Sequence, residues 1–254
     1  MSQSTICHHL KKMGKVSKLG VWVPYAFSEK NKADRLSIAT SLLSRQRNYP
    51  FLDKIITGDE KWITNDNARK RQWVDKDIYP QLDPKAELHG RKIRYVWWDC
   101  CAIIHFELLI HNETVTADLY IQQLQLVHQS LLKKRPALVN RKNVVLLHDN
   151  ARPHAARVTL EKVLELGWPV LPHPPYSPDL APTDYHLFRS LQISLMETNF
   201  CNEDQVQEFV KNFFTSKPAA FYTKGIEELP DKWQQVIAND GEYIIDYGTS
   251  VIFH

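Results

Sequence analysis

The chain has 254 residues, of which 43% are hydrophobic and 24% charged, a composition typical of a globular protein with one large domain or two small ones. No apolar run approaches the roughly 20 residues of a membrane-spanning helix, and the amino terminus lacks the apolar segment of a secretory signal. The net charge is +3, but residues 1–50 carry nine basic and two acidic side chains, whereas residues 203–254 carry four basic and nine acidic ones. The front of the chain is therefore suited to a polyanionic partner.

The first fifty residues predict two helices separated by an extended segment. Residues 4–13 have the pattern of a short helix. Residues 15–27 are predicted to be extended, because Pro24 prevents a helix there. Residues 28–47 predict a longer helix that Ser28 caps.

After Pro50 the pattern changes to strands and then to strands that alternate with helices. The predicted strands are 51–63, 93–101, 102–110, 143–149 and 168–172, and the predicted helices are 116–134, 156–167, 184–196, 203–215 and 218–236. An antiparallel group followed by helix-connected strands predicts an α/β fold with one mixed sheet and helices on its faces. This is the element order of the ribonuclease-H-like fold.

Two carboxylates occupy strand positions where α/β sheets place their chemistry. Asp149 ends the continuous apolar run 143–149, which is typical of a strand buried on both faces. Asp59 lies in the strand 51–63, on the face opposite Glu60, because side chains alternate along a strand. If the two strands are neighbours, Asp59 and Asp149 project to one edge of the sheet.

A third carboxylate is either Asp179 or Asp184. Three apolar residues share a helix face with Asp184: Phe188, Leu191 and Leu195. That apolar face must contact the sheet, so Asp184 in the first turn points toward Asp149. Asp179 lies in the proline-bounded loop SPDLAP, where turn geometry is its expected role. The helical spacing therefore favours Asp184.

Three converging carboxylates repel one another unless a cation lies between them. Hard oxygen ligands favour Mg²⁺ or Mn²⁺, and two such ions about 4 Å apart are a known arrangement for phosphodiester chemistry. Helix caps and surface acids remain an alternative interpretation of these residues when spacing alone is considered.

Longer motifs surround the three aspartates: TGDEKWI (57–63), HDNARPH (148–154) and LPHPPYSPDLAPTDYHLF (171–188). They closely resemble the mariner family of DNA transposases, and the resemblance runs from residue 1 to about residue 246. WVPYAF (22–27) is similar to the family's WVPHEL linker motif, although Tyr and Ala stand where the family has His and Glu.

The family pattern is Asp, Asp and a third Asp after thirty-four intervening residues, and this is the spacing of Asp149 and Asp184. The resemblance implies a ribonuclease-H-like catalytic domain that cuts double-stranded DNA at transposon inverted repeats and joins the freed 3′-hydroxyl to a TA target. It implies Asp59, Asp149 and Asp184 as catalytic metal ligands for Mg²⁺ or Mn²⁺ in a two-metal mechanism. A homodimer on DNA and a location in the nucleus are also implied.

The resemblance divides the chain into four segments. Residues 1–14 are similar to the end of a second helix-turn-helix DNA-binding unit, and residues 15–50 to a linker with a helix. Residues 51–246 are similar to the catalytic domain, with 64–92 as an insertion like the family's clamp loop, and 247–254 form a tail. The altered linker motif and the small helix-turn-helix remnant favour an alternative, a catalytically silent transposon-derived module for DNA binding and dimerisation.

Further residues are predicted to contact DNA or to support the metal ligands. The predicted DNA contacts are Lys11, Lys12, Lys15, Lys18, Trp22, Val23, Arg152 and His154. His148 and Asn150 are predicted to support the ligands from a second layer, and Lys30, Lys32 and Arg35 to add phosphate contacts. Surface solvation of the basic residues, and capping or core packing for the HDNARPH side chains, are the alternatives.

Overall fold

A four-stranded mixed sheet organises the computed structural model, which describes residues 12–13, 15–19, 27–63, 71–75, 91–108, 115–195, 198, 200 and 203–244. The described strands are β1 (Lys15–Leu19), β2 (Ile55–Ile63), β3 (Arg71–Asp75), β4 (Arg91–Trp98), β5 (Ile103–Leu108) and β6 (Val145–Leu147). The main sheet has the order β5-β4-β2-β6, in which β2 is antiparallel to β4 and parallel to β6. The predicted mixed sheet is therefore confirmed.

Helices flank this sheet. The described α-helices are α1 (Glu29–Asn48), α2 (Ala117–Lys134), α3 (Pro136–Asn140), α4 (Arg157–Leu166), α5 (Arg189–Leu195), α6 (Glu203–Ser216), α7 (Ala219–Glu227) and α8 (Leu229–Ala238). Ser28 caps α1 as predicted, since its side chain accepts the Asn31 N–H, and Gly167 ends α4 at a φ of 70°. No helix in the described ranges is both long and apolar enough to cross a membrane.

Several predicted elements are shorter or divided. A turn separates the strands predicted at 93–101 and 102–110: the first ends before it and the second begins after it. The turn forms because the Asp99 carboxylate accepts the N–H groups of Cys101 and Ala102. The helix predicted at 218–236 is two helices, since Pro230 stands at the start of α8 and lacks an N–H donor.

Three further boundaries also differ from prediction. The strand predicted at 168–172 is reduced to a single parallel bridge between Val170 and Leu146, because Pro169 and Pro172 have no N–H for a longer ladder. A 3₁₀ turn, Leu52–Lys54, delays the start of β2. The helix predicted at 184–196 begins as a π-helix, Thr183–Phe188.

The sheet separates two hydrophobic clusters. Ile55 and Leu147 pack on one face with side chains of α1, α5, α6 and α8, whereas Ile56 and Leu146 pack on the other with α2 and α4. All four side chains are less than 5% exposed. Alternation along the strands thus assigns each position of β2 and β6 to a known face.

A second, two-stranded sheet joins β1 to β3 in antiparallel register, with Lys15 opposite Asp75. The predicted extended conformation is thus present over Lys15–Leu19, and part of the predicted insertion 64–92 is a strand. The predicted helix 4–13, apart from its last two residues, lies outside the described residues, as do residues 20–26, residues 64–70 and 76–90 of the insertion, and the tail 247–254.

Asp179 forms a buried ion pair that the sequence did not predict. Its two carboxylate oxygens accept from the guanidinium of Arg35 at 2.9 and 2.6 Å, and Arg35 also donates to Ser177 and to the carbonyl oxygen of Gly241. Arg35 is fully buried, so the predicted phosphate contact of Arg35 is wrong. The role of Asp179 extends beyond turn geometry, because the pair joins α1 to residues 177–179 and 241–244.

Candidate active site

Strand register brings Asp59 and Asp149 to the same edge of the sheet. In the parallel pair, Ile55 lies opposite Val145 and Thr57 opposite Leu147. Asp59 follows Thr57 by two residues within β2 and therefore shares its face, and Asp149 follows Leu147 by two residues just past the end of β6. The predicted neighbouring strands are therefore present. Asp149 follows the carboxyl end of β6, and Asp59 lies beside it where β2 extends past β6.

Gly58 allows β2 to pass the buried ring of Trp97 immediately before Asp59. A Cβ atom at Gly58 would lie 2.6 Å from Cδ2 of Trp97 and 2.7 Å from the carbonyl oxygen of Val96. Real Cβ atoms do not approach other heavy atoms so closely, so a larger residue would displace the strand. The glycine of the TGDEKWI motif thus allows β2 to lie close to Trp97 and so sets the position of Asp59.

Asp184 reaches the same region from the π-helix. Leu187 and Phe188, which follow it, are buried in the cluster that contains Ile55 and Leu147. Trp98 Nε1 donates to Thr183 Oγ1 at 3.0 Å and thereby anchors the start of the π-helix to β4. The face predicted to contact the sheet does so, although the local helix is π and not α.

The three carboxylates act on one another electrostatically. The pKa of Asp59 lies well above its ordinary value, first because burial disfavours the charged form and then because the negative charges of Asp184 and Asp149 are near. A cation among the three side chains would remove this repulsion.

Asp149, in contrast to Asp59, has a lowered pKa and is ionised at neutral pH. Burial acts to raise its pKa, but the hydrogen bond and charge of His154 and the Ala151 N–H outweigh burial and lower the pKa below its ordinary value. His154 Nδ1 lies 2.6 Å from Asp149 Oδ1, and the Ala151 N–H donates to the same oxygen at 3.0 Å. The Asp149 side chain is 46% exposed, so it is accessible at the sheet edge.

The second layer behind Asp149 is aromatic and buried. His148 and His154 are 8% and 3% exposed, and their rings stack at a centroid separation of 5.2 Å. His148 Nδ1 lies 2.6 Å from the hydroxyl of Tyr120, and burial lowers the pKa of His148 to about 3. Asn150 donates from its side-chain amide to the carbonyl oxygen of His173, which connects the motif to residues 171–188.

The residues predicted to contact DNA lie in different environments. Arg152 and Lys12 are exposed. Lys15 and Lys18 lie in β1, opposite Asp75 and Gln72. Lys11, Trp22 and Val23 lie outside the described residues. The predicted DNA contact of His154 does not fit its position, because its side chain is enclosed and bonded to Asp149.

Other basic residues of the front segment also differ from expectation. Lys32 is 24% exposed and pairs with Glu242 at 2.6 Å and Glu29 at 3.3 Å, which raises its pKa. Its charge is therefore largely committed within the protein, whereas Lys30 is accessible to a partner.

Sequence reasoning missed the residues that support the site from the opposite face of the sheet. Tyr95, which is fully buried, donates its hydroxyl to Glu60 Oε1 at 2.6 Å. Tyr120 and His173 also lie near Asp149. A tyrosine in an apolar strand is a signal for a buried hydroxyl that needs a partner, but the sequence does not show which partner that is.

The donor set suits a hard divalent cation, since three carboxylates supply oxygen ligands and negative charge. Within the described ranges, no three Asp, Glu, His or Cys side chains already stand close enough to enclose a metal ion. One oxygen of Asp149 faces His154, and one of Asp59 accepts the Glu60 N–H at 2.7 Å. Cation binding at this edge therefore requires the side chains of Asp59 and Asp184 to turn toward Asp149.

Comparisons with known proteins show the family to which the chain belongs. A family described as a transposase (partial DDE domain) matches residues 63–141, a range that contains none of the three aspartates. The mariner Mos1 transposase of Drosophila mauritiana is 40% identical over 247 residues, which are 96% of this chain and 72% of that protein. The chain belongs to the mariner transposase family.

A second relative is a much longer protein. The human histone-lysine N-methyltransferase SETMAR is 44% identical over 245 residues, which are 96% of this chain but only 36% of SETMAR. The chain thus spans about a third of the length of this relative.

Solved structures agree with the family. A pre-cleavage Mos1 transpososome matches with a TM-score of 0.79 at 40% identity over 96% of this chain and 72% of that one. The catalytic domain of Mos1 mariner transposase matches with a TM-score of 0.76 at 39% identity over 88% of this chain and all of that one. The predicted ribonuclease-H-like fold is thereby confirmed. Mos1 paired-end complexes have been solved both with Mn and with Mg.

Proposed function

We propose that this mariner-family chain is a transposase catalytic unit that cleaves double-stranded DNA at transposon ends and transfers the 3′ end into TA target DNA. Asp59, Asp149 and Asp184 are its catalytic metal ligands, and Mg²⁺ or Mn²⁺, as two ions, is its cofactor. The parallel pairing of β2 with β6 carries this proposal, because it places Asp59 and Asp149 beside each other at one edge of the sheet. Besides burial, the nearby charges of Asp184 and Asp149 also act to raise the pKa of Asp59.

Each aspartate has a separate part in this site. Bound divalent cations supply an activated water or hydroxyl and stabilise the leaving oxygen of a phosphodiester. Asp149 is half-exposed and ionised, so it offers an anionic oxygen at the edge. Burial and the charges of Asp184 and Asp149 disfavour the ionised form of Asp59, so a bound cation would favour its ionisation. Asp184 brings the third carboxylate from the π-helix.

The partners follow from the same family. Mos1 forms paired-end complexes with a transposon end and a strand transfer complex. For this chain we extend this to transposon inverted repeats, a TA target, a homodimer on DNA and a nuclear location. The boundaries 1–14, 15–50, 51–246 and 247–254 belong to the same proposal. Arg152 and Lys12, both exposed, are available to contact DNA phosphates.

A catalytically silent DNA-binding and dimerisation module is the second candidate. The match to SETMAR favours it, because a sequence of this family there forms about a third of a protein whose name describes a different activity. Tyr25 and Ala26 in the linker motif favour it as well.

Nicking of supercoiled plasmid with Mn²⁺ or Mg²⁺ separates the two candidates. We expect the chain to nick, and Asp149→Asn to lower the rate at least roughly 100-fold, since a bound cation supplies several kcal/mol of charge stabilisation. Asp53→Asn, at an exposed acid near the opposite end of β2, is the matched control and should leave the rate unchanged.

Two outcomes test the candidate functions, and a further measurement tests the choice of target site. DNA binding in a gel shift without nicking in either metal would favour the silent module. Nicking by Asp149→Asn at the normal rate would show that the carboxylate assignment is wrong. Insertion of a short duplex with a free 3′-hydroxyl into plasmid, sequenced at its junctions, tests the preference for TA.

A further inference from the structure

A chain of polar contacts lies behind the sheet edge and links Glu60 to Asp149. The Tyr95 hydroxyl donates to Glu60 Oε1 at 2.6 Å and lies 3.4 Å from His154 Nε2, and the other ring nitrogen of His154 lies 2.6 Å from Asp149 Oδ1. Tyr95 is fully buried and His154 is 3% exposed, so water does not compete freely for these groups.

These contacts engage only one oxygen of Asp149. Both His154 Nδ1 and the Ala151 N–H point to Oδ1, and within the described residues no hydrogen bond reaches Oδ2. A carboxylate held through one oxygen presents the other in a fixed direction. In this arrangement Oδ2 is the oxygen left for a ligand at the exposed edge.

The imidazole of His154 is itself held from several sides. The ring of Tyr120 lies 4.0 Å from it and the ring of His148 5.2 Å, both centroid to centroid, so its plane is fixed by packing. Stacking does not decide how the ring is turned within that plane. The contact of Nε2 with Tyr95 does, because it directs Nδ1 toward Asp149.

Glu60 completes the chain from the other face of the sheet. Tyr95 belongs to the cluster that contains Ile56, and Glu60 has the strand parity of Ile56, whereas Asp59 has that of Ile55. The adjacent acids of TGDEKWI are thereby divided, with Asp59 at the carboxylate edge and Glu60 beneath it.

We propose that Glu60, Tyr95 and His154 are positioning residues that hold Asp149 in the orientation that receives a divalent cation. This inference rests on the proposed function, since it concerns the same carboxylate edge. Residues that orient metal ligands in this way typically change metal affinity by roughly 10- to 100-fold when removed.

The test compares two tyrosines of the same cluster. Tyr95→Phe removes the hydroxyl that contacts His154 and Glu60, and Tyr120→Phe removes an equally buried hydroxyl that contacts His148. Both variants keep the aromatic ring. We expect Tyr95→Phe to weaken Mn²⁺ binding about tenfold, measured by electron paramagnetic resonance of free Mn²⁺ without DNA, and Tyr120→Phe to leave it near the wild-type value.

A second pair of variants keeps the test decisive if a tyrosine variant fails to fold. His154→Asn retains an N–H donor near the position of Nδ1, whereas His154→Ala has none. We expect Mn²⁺ affinity to fall about tenfold or more in His154→Ala and to recover in part in His154→Asn.

The outcomes distinguish this inference from the proposed function. If wild-type protein binds Mn²⁺ and Asp149→Asn does not, the proposed metal site stands. Equal affinities of wild type, Tyr95→Phe and His154→Ala would then overturn the positioning role alone. If wild-type protein binds no Mn²⁺ and nicks no DNA, the proposed function itself fails.

Discussion

Asp59 is the residue at which stability and the proposed chemistry oppose each other. Its pKa is raised in the folded protein by burial and by Asp184 and Asp149, so folding favours the protonated form. The stabilisation is complete below the pKa of the unfolded chain and is lost as pH rises through the higher folded pKa. At neutral pH without a divalent cation, the cost of charging Asp59 therefore weakens the fold.

Asp59→Asn should make the metal-free protein more stable and inactive. Removal of one of three repelling charges is expected to raise the free energy of unfolding by about 1 kcal/mol, or the melting temperature by roughly 2–4 °C for a chain of this size. Calorimetry in EDTA at pH 7.5 measures this change. A lower melting temperature for Asp59→Asn would contradict the electrostatic account.

Gly58→Ala should disturb the same position through packing. The new Cβ would meet Trp97 at 2.6 Å, so we expect a loss of about 1–3 kcal/mol in urea unfolding and slower nicking, because the strand shifts next to Asp59. Gly167→Ala is the comparison, since it is strained by its positive φ but has open space. It should lose stability and keep the nicking rate. Normal nicking by folded Gly58→Ala would contradict this role.

At the scale of elements, the ion pair of Arg35 and Asp179 joins parts of the chain that are distant in sequence. Its side chains are 0% and 3% exposed, and Asp179 also accepts the Ile244 N–H at 3.0 Å. Loss of one partner of such a pair leaves an uncompensated buried charge.

Asp179→Asn should therefore destabilise the protein by about 3–5 kcal/mol in urea unfolding. The double variant Arg35→Met with Asp179→Leu should be less destabilised than the sum of the single changes, since no charge is left buried. Asp184→Asn provides the contrast, with little loss of stability and loss of nicking. Additive single changes would contradict the buried pair.

The local elements were largely predictable because their signals lie within a few residues of one another. The helix cap at Ser28 and the apolar run ending at Asp149 are examples. The pairing of Arg35 with Asp179 was not predictable, since 144 residues separate them and a basic residue in a basic segment resembles a DNA contact. The enclosure of His154 depends on Tyr95 and Tyr120, which come from other elements. The places of Asp59 and Asp149 at the strands were predictable from the sequence, whereas the side chains that contact them from other elements were not.

At the scale of the whole molecule, buried histidines make the fold sensitive to acid. Burial, as the largest cause, lowers the pKa of His148 to about 3 and that of His173 to about 4, whereas an unfolded chain has a value near 6.5. For a lowered histidine pKa, the unfolded chain binds more protons. Stability is therefore present above about pH 6.5 and declines as pH falls below it.

His148→Gln should reduce this acid sensitivity. Each neutral buried histidine contributes up to about 1.4 kcal/mol per pH unit below the unfolded pKa. Because Asp59 acts in the opposite sense, the informative quantity is the difference between wild type and His148→Gln in urea unfolding from pH 7.5 to 5. Parallel curves would contradict a buried neutral His148.

The two faces of the sheet have different tasks in this account. One face carries Asp59, near Asp149 and Asp184, and the other carries Glu60 and Tyr95. The central claim is that the three aspartates hold divalent cations.

A crystal of the protein grown with Mn²⁺ tests this claim most directly through anomalous scattering. We expect two Mn²⁺ peaks next to the carboxyl end of β6, with oxygens of Asp59, Asp149 and Asp184 at about 2.1 Å. Mn²⁺ held elsewhere, or absent from this edge in crystals soaked to saturation, would contradict it.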